Sequence, residues 1–435
     1  AKRYLKVSLK GVQDKDFAMI MGYPGRTNRW ESSYWVDQNV KYAYPAWVEA
    51  SKTAMDAMKR FMDKDDAVRL LYASQYSSIA NYWKNRQGMI DALSAHKTAD
   101  KKRKAEAKFA KWAKKAENKA EYGDVLNTLA TYFEKTNTLS ADQNYLGMLW
   151  RASFFIKMPT RYISLVSGAQ RGGMPADELD KKVDNLLSEY DKINLDVEKA
   201  ILADMLKLYA NKGTDVPTEL KAIKDQYNGN FNKYVEDLLA KSIYRSKETA
   251  KEGAKQEAAG LASDPILQLS GVLFESYRNP SPELFNLEDA YSKAYRKFVQ
   301  GMRNSKASNI LYPDANSTLR LTYGTVKPLK ADKRNPDAKK NFYTTFNTLM
   351  AKYKAGDPEF DMPQRMLDLY KKKEFGKYID KDGSMHVNFL SNNDITGGNS
   401  GSPVLNGKGE LIGLAFDGNI EAMAGDVIFD KKLQR

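Results

Sequence analysis

The sequence contains no cysteine and only two histidines, His96 and His386, in 435 residues. The first absence removes disulfides, thiolate metal sites and a cysteine nucleophile together. The second leaves little for a metal centre: neither histidine has a ligand-spaced partner, so no metal or other cofactor is expected. No run approaches the ~18 uninterrupted apolar residues of a membrane-spanning helix. The opening residues, Ala1-Lys2-Arg3-Tyr4-Leu5-Lys6, lack the apolar core of a signal peptide. A mature protein, a cytoplasmic one and a chain that starts mid-sequence all fit that.

What is present is enough apolar material for real cores, 42% of residues, in a chain long enough for two or three domains. The net charge of +14 invites a nucleic-acid reading. Much of the excess lies between Lys97 and Lys119, where Phe109, Trp112 and Ala116 give a lysine-rich helix one narrow apolar seam. Acidic residues interleave and no nucleic-acid motif accompanies the run, which reads as a solvated helix face.

Three regions separate by periodicity. Residues 1–26 read as strand, through Tyr4, Val7 and Leu9 and then Phe17 to Met21, closed by the turn Gly22-Tyr23-Pro24-Gly25. Residues 27–315 are helical in pattern, with apolar residues recurring at three and four, as in Leu126, Leu129 and Phe133. Strands return over 316–435: Leu319 to Tyr323, Val387 to Leu390, Pro403 to Leu405, Leu411 to Leu414 and Val427 to Phe429. Asn406-Gly407 and Lys408-Gly409 supply residues fit for a tight hairpin. The expected fold is α+β and multidomain, a β-domain interrupted by a large all-α insertion.

The chemistry concentrates in Gly397-Gly398-Asn399-Ser400-Gly401-Ser402-Pro403. Acyl transfer by serine needs an exposed hydroxyl, a base for its proton, and backbone N–H groups aimed at the oxyanion. A Gly-Asn-Ser-Gly turn offers the first and third, with Ser400 as nucleophile and the N–H groups of Gly398 and Ser400 as the oxyanion hole. Gly-x-Ser-Gly alone is a weak signal, and the bland reading is a Gly/Ser-rich loop. The Thr396 lead-in and the two flanking apolar strands favour the nucleophile. Asp417, on the next strand, reads as either a surface turn residue or an anchor for a cationic group. The base is missing: His96 reads as solvent-exposed, and His386 as an outward strand residue poorly placed for the task. No triad carboxylate stands out.

These residues resemble the bacterial dipeptidyl peptidases of the dipeptidyl peptidase 7 and 11 type. The resemblance is carried by Tyr4–Gly11, Met21–Thr27, Ala80-Asn81-Tyr82-Trp83-Lys84-Asn85, Tyr312–Thr318, and Val387–Ser391 through Gln434-Arg435, in order along nearly the whole chain. It implies part of a chymotrypsin-like double β-barrel with a helical lid domain, a periplasmic location, a homodimer, and release of dipeptides from free N-termini of oligopeptides. It also implies that Asp417 and Asn81 hold the substrate's α-ammonium. Asn81 sits on a polar stripe with Ser74, Ser78 and Asn85, opposite Tyr72, Tyr76, Ile79 and Trp83. Asn85 shares that face and is the alternative contact; a plain surface asparagine is the bland one. Gly418, where family members that read acidic P1 residues carry arginine, implies a hydrophobic P1. The family's catalytic histidine and aspartate match nothing here, so the chain reads as a fragment in which Ser400 is expected to be idle. A non-catalytic peptide-binding protein and a basic nucleic-acid binder are the competing classes.

Overall fold

The structure is a computed structural model that describes residues 4–253, 258–278, 281–310, 312–329, 341–357, 360–381 and 383–435. The chain divides into two compact units, one of Ala1–Glu31 with Ile310–Arg435 and one of Ser32–Asn309.

The first unit is built on a four-stranded antiparallel sheet in the order β2-β1-β5-β6. Its strands are β1 (Phe17–Gly22), β2 (Arg320–Thr325), β5 (Pro403–Leu405) and β6 (Leu411–Leu414). β3 (Tyr343–Thr345) and β4 (His386–Phe389) form a separate ribbon. β1 alternates as a strand with one buried face must. Ala18 and Ile20 point into a small core with Val404 and Ala415, whereas Phe17 and Met21 stay exposed. The register Ile20↔Val404 and Ile20↔Thr322 fixes β1 between its neighbours.

The expected mix of sheet and helix is present, and among the described residues the sheet is open, with no closed barrel. Two expected strands are corrected. Tyr4 to Leu9 is not a strand: it makes one bridge, Val7↔Leu411, and Tyr4 and Leu9 are solvent-exposed. Val427 to Phe429 is not a strand either. Its backbone is spent locally, with Val427 and Ile428 N–H both donating to Ala424 O after the 3-10 turn Ile420–Ala424. The Asn406–Gly409 hairpin forms as expected, with Gly409 at φ +74° and Asn406 N–H donating to Glu410 O at 3.0 Å.

Among the described residues the second unit is built of helices; one core cluster runs from Ala46 to Leu273, and Phe109, Tyr122 and Phe298 pack on one another outside it. The stripe read from sequence is present on the Asp66–Ala95 helix: Tyr72 and Ile79 are buried, and Tyr76 and Trp83 pack partly against the same core. The lysine-rich segment is two helices, Thr98–Ala113 and Ala116–Tyr122. Phe109 is therefore buried while Ala116 begins a new helix and is exposed.

One buried carboxyl stands at the centre of this unit. Glu198, 1% exposed, accepts from Tyr72 OH at 2.9 Å and from Phe154 N–H, at the start of the Phe154–Gly172 helix, at 2.9 Å. Burial pushes its pKa up from 4.5 to about 7, against the pull of those bonds and of Lys157. Between those values the folded chain holds a proton that the unfolded chain has released, so stability falls as pH rises. Glu198 should therefore weaken the helical unit by on the order of 3 kcal/mol between pH 4 and 8. Melting temperatures across that range should show the fall, and Glu198→Gln, neutral throughout, should flatten it. An unchanged pH slope in the variant would assign the effect elsewhere.

Candidate functional site

The segment Asp394–Ser402 folds as two successive turns. Asn399 N–H donates to Thr396 O at 3.0 Å, and Ser402 N–H to Asn399 O at 2.9 Å. Each turn has glycine at its third position with positive φ, Gly398 at +103° and Gly401 at +82°, the requirement of a type II turn. Ser400 occupies the corner of the second turn and is exposed. Among the described residues, the N–H groups of Gly398 and Ser400 donate to no protein acceptor. The buried Asn399 side chain braces the first turn, its Oδ1 accepting from Thr396 N–H at 3.1 Å.

This loop is fastened to the end of β1. Gly25 N–H donates to Gly397 O at 2.7 Å. A Cβ on Gly398 would lie 2.7 Å from Gly25 N and closer still to Tyr23 O; one on Gly22 would lie 2.6 Å from Asn399 Nδ2. Gly25 and Gly398 are thus required in part because two backbones approach closely, and Gly22 because the Asn399 and Ser402 side chains pack on it. On the other side, Gly401 N–H donates to Ala415 O at 2.7 Å and Ala415 N–H to Ser402 O at 2.9 Å. Ser400 and Asp417 each lie within two residues of that pairing. Asp417 is exposed, and its Oδ1 accepts from Gly418 N–H at 2.8 Å.

Gly418 carries a steric constraint that its sequence position does not reveal. A Cβ there would meet Ala422 Cβ at 2.8 Å and Arg435 O at 3.3 Å. Any side chain at 418 must first displace the Ile420–Ala424 turn.

In the helical unit, Asn81 is exposed together with Ser74 and Ser78, while Asn85 is half-buried. Ser78 Oγ accepts from Arg151 at 2.9 Å, and the same guanidinium sits 4.5 Å from the Tyr82 ring centroid. His96 ends the Asp66–Ala95 helix, its N–H closing the last turn on Ala92 O, and it is half-buried rather than fully exposed. His386 stacks on Tyr343, ring centroids 3.6 Å apart, and its Nδ1 lies 3.1 Å from Asp380. Among the described residues no cluster of potential metal ligands occurs, and no helix is long and apolar enough to cross a membrane.

Sequence reasoning missed the residues behind the loop. Arg29 is buried and forms a two-pronged pair with Asp394, Nη2 reaching Oδ1 at 2.6 Å. Thr396 Oγ1 donates to Asp426. Arg29 and Asp394 are 365 residues apart, and nothing local in either segment announces the other.

Comparison with known proteins places this architecture among the peptidases. A family model, Peptidase S46, matches residues 1–435, and the chain belongs to that family. It is 62% identical over 442 residues to Dipeptidyl-peptidase 7 of Capnocytophaga gingivalis, covering all of this chain and 61% of the relative. An Asp/Glu-specific dipeptidyl-peptidase of the same organism is 32% identical with the same coverage. The crystal structure of Porphyromonas endodontalis DPP11 in complex with the dipeptide Arg-Glu superposes with a TM-score of 0.84 at 27% identity, over 100% of this chain and 62% of that one. The chain thus spans about three fifths of the length of these relatives.

Proposed function

We propose that this chain is the nucleophile-bearing part of a serine dipeptidyl aminopeptidase that releases N-terminal dipeptides with a hydrophobic residue at P1. The observation that carries the reading is Ser400, exposed at the corner of the second of two glycine turns, where the N–H groups of Gly398 and Ser400 are unspent among the described residues. The 62% identical relative named Dipeptidyl-peptidase 7 supports the substrate class.

In this mechanism Ser400 Oγ attacks the carbonyl carbon of the substrate's second residue. A histidine from outside these 435 residues takes the hydroxyl proton, and the N–H groups of Gly398 and Ser400 receive the oxyanion. Collapse expels the remaining peptide as an amine, which takes that proton, and water then hydrolyses the dipeptidyl ester. Asp417, and Asn81 on the lid helix, bind the free α-ammonium, which sets the cut two residues from the terminus. Gly418 leaves the P1 pocket open to apolar side chains. Periplasmic location and homodimer formation belong to the same proposal through the family resemblance.

The test is peptide release by the full-length protein. Free-amine substrates with apolar P1 should be cut, and their N-acetylated forms should not. Asp417 is exposed in the free chain and would be covered only by the bound substrate; truncating a charge partner buried in that complex costs about 2–5 kcal/mol, so Asp417→Ala should lower kcat/KM by about 30- to 5,000-fold. It should also erase the discrimination against acetylated substrates. A variant that still discriminates would remove Asp417 from amine recognition. Gly418→Ala is no neutral control, since its Cβ collides with Ala422.

A peptide-binding protein without turnover is the second reading. It is favoured by the placement of the chain's histidines: His386 is engaged by Tyr343 and Asp380, and His96 ends a helix of the other unit. Binding without any release of dipeptide by the full-length protein would select it.

A further inference from the structure

Arg29 is 6% exposed and joins four segments of the strand unit. Its fork holds Asp394, its Nη1 donates to Tyr312 OH at 2.9 Å, and its Nε and Nη2 donate to Gly425 O at 3.1 and 2.9 Å. The rings of Tyr312 and Phe429 flank the guanidinium, each centroid 5.6 Å from Cζ. Gly425 precedes Asp426, whose carboxylate accepts from Thr396 and whose carbonyl accepts from Asn28 N–H at 2.6 Å. A closed circuit results: Arg29 to Asp394, along the chain to Thr396, across to Asp426, and back through Gly425 and Asn28 to Arg29.

The segment that presents Arg29 is itself fixed. Asp314 accepts from Thr27 Oγ1 at 2.6 Å, from Arg29 N–H at 2.8 Å and from Trp30 N–H at 3.2 Å. Asp394 is likewise held, its N–H donating to Thr322 Oγ1 on β2 at 2.9 Å. The guanidinium is thus one of several fixed points at the entry to the serine loop, beside Thr322 and Asp426. A planar fork defines direction as well as distance, which an ammonium does not.

We propose that Arg29, through its two-pronged pair with Asp394, is a positioning residue that sets the attack geometry of the Ser400 loop. The proposal rests on the reading of Ser400 as nucleophile. In this proposal Arg29 acts by holding Asp394 and the 425–426 turn, between which the loop is strung, and not by contact with substrate. Displacing a reacting group by about 1 Å costs about 100-fold in rate, so the loss should fall on kcat rather than on KM.

A cavity of about 360 Å³ adjoins the pair, lined by Arg29, Tyr312, Asp394, Thr396 and Phe429 among others. It gives a small cation access to the place the guanidinium would vacate, which makes chemical rescue possible. In the full-length protein, a fluorophosphonate probe should label Ser400; failure of wild type to label would sink the nucleophile reading itself. Arg29→Ala should then lower kcat and labelling rate together by about 100-fold, with KM within about twofold. Millimolar methylguanidinium should restore about tenfold of that loss and leave the wild type unchanged. Near-wild-type labelling by folded Arg29→Ala overturns the proposal, and so does a loss that methylguanidinium does not relieve. Should Arg29→Ala fail to fold, Asp394→Asn decides: a kcat-selective loss supports the proposal, and unchanged kcat or a matching rise in KM overturns it.

Discussion

Ser400→Ala in the full-length protein should abolish dipeptide release, lowering kcat by about 10⁴- to 10⁶-fold, while leaving the fold untouched. Both halves follow from the geometry. The hydroxyl stands at an exposed turn corner and, among the described residues, makes no side-chain hydrogen bond, so its removal should change stability by less than about 0.5 kcal/mol. The other serine of the loop, Ser402, is buried and packed against Gly22, which leaves it poorly placed to substitute. The measurement is steady-state release from a free-amine peptide beside a thermal melt. Activity above about one per cent of wild type would exclude Ser400 as the nucleophile.

Gly398→Ala should be nearly as damaging for a different reason. Its φ of +103° lies beyond the left-handed region that an alanine tolerates. The new Cβ would also press on backbone, Gly25 N at 2.7 Å and Tyr23 O nearer still. Backbone atoms cannot rotate aside, so the turn must move, which breaks the Gly25–Gly397 bond and shifts a proposed oxyanion donor. Losing such a donor costs about 10²- to 10³-fold in kcat, and the strain should destabilise the strand unit by about 1–3 kcal/mol. Gly401→Ala separates the two causes. Gly401 has φ +82° but nothing within 4 Å of its Cβ position, so it should pay only the conformational cost. Equal activity losses in the two variants would show that backbone conformation, not the close approach to β1, governs the loop.

What the sequence revealed and what it concealed divide by the range of the interaction. The Ser400 turns were legible because their glycines answer a local demand for positive φ, and the Asn406–Gly409 hairpin was legible for the same reason. Tyr72, Ile79 and Trp83 were legible because helical periodicity needs only neighbouring turns. Val387 to Leu390 was read as a strand and is one, β4, within a residue. Val427 to Phe429 has the composition of a strand, yet Gln434 Nε2 takes Ile428 O and the preceding 3-10 turn takes the N–H groups, so no ladder forms. The Arg29–Asp394 pair and the packing of Gly418 on Ala422 depend on folded neighbours that no local pattern marks. Gly418 was read for the room it leaves in a pocket, and its collision with Ala422 adds a constraint of packing to that reading.

The contact between Trp30 Nε1 and Tyr312 O, 2.9 Å, has a bearing on how the chain assembles. It brings the departure and return points of the helical segment together. Pairing Gly22 with Arg320 in an unfolded chain closes a loop of roughly 300 residues. If the helical segment folds first, the open loop shrinks to roughly twenty residues and the closure cost drops by about 2 kcal/mol. On that order of events the sheet that carries the serine assembles after the helical segment, and pulse-labelled hydrogen exchange should protect helical amides before those of β1 and β2; simultaneous protection would reject it.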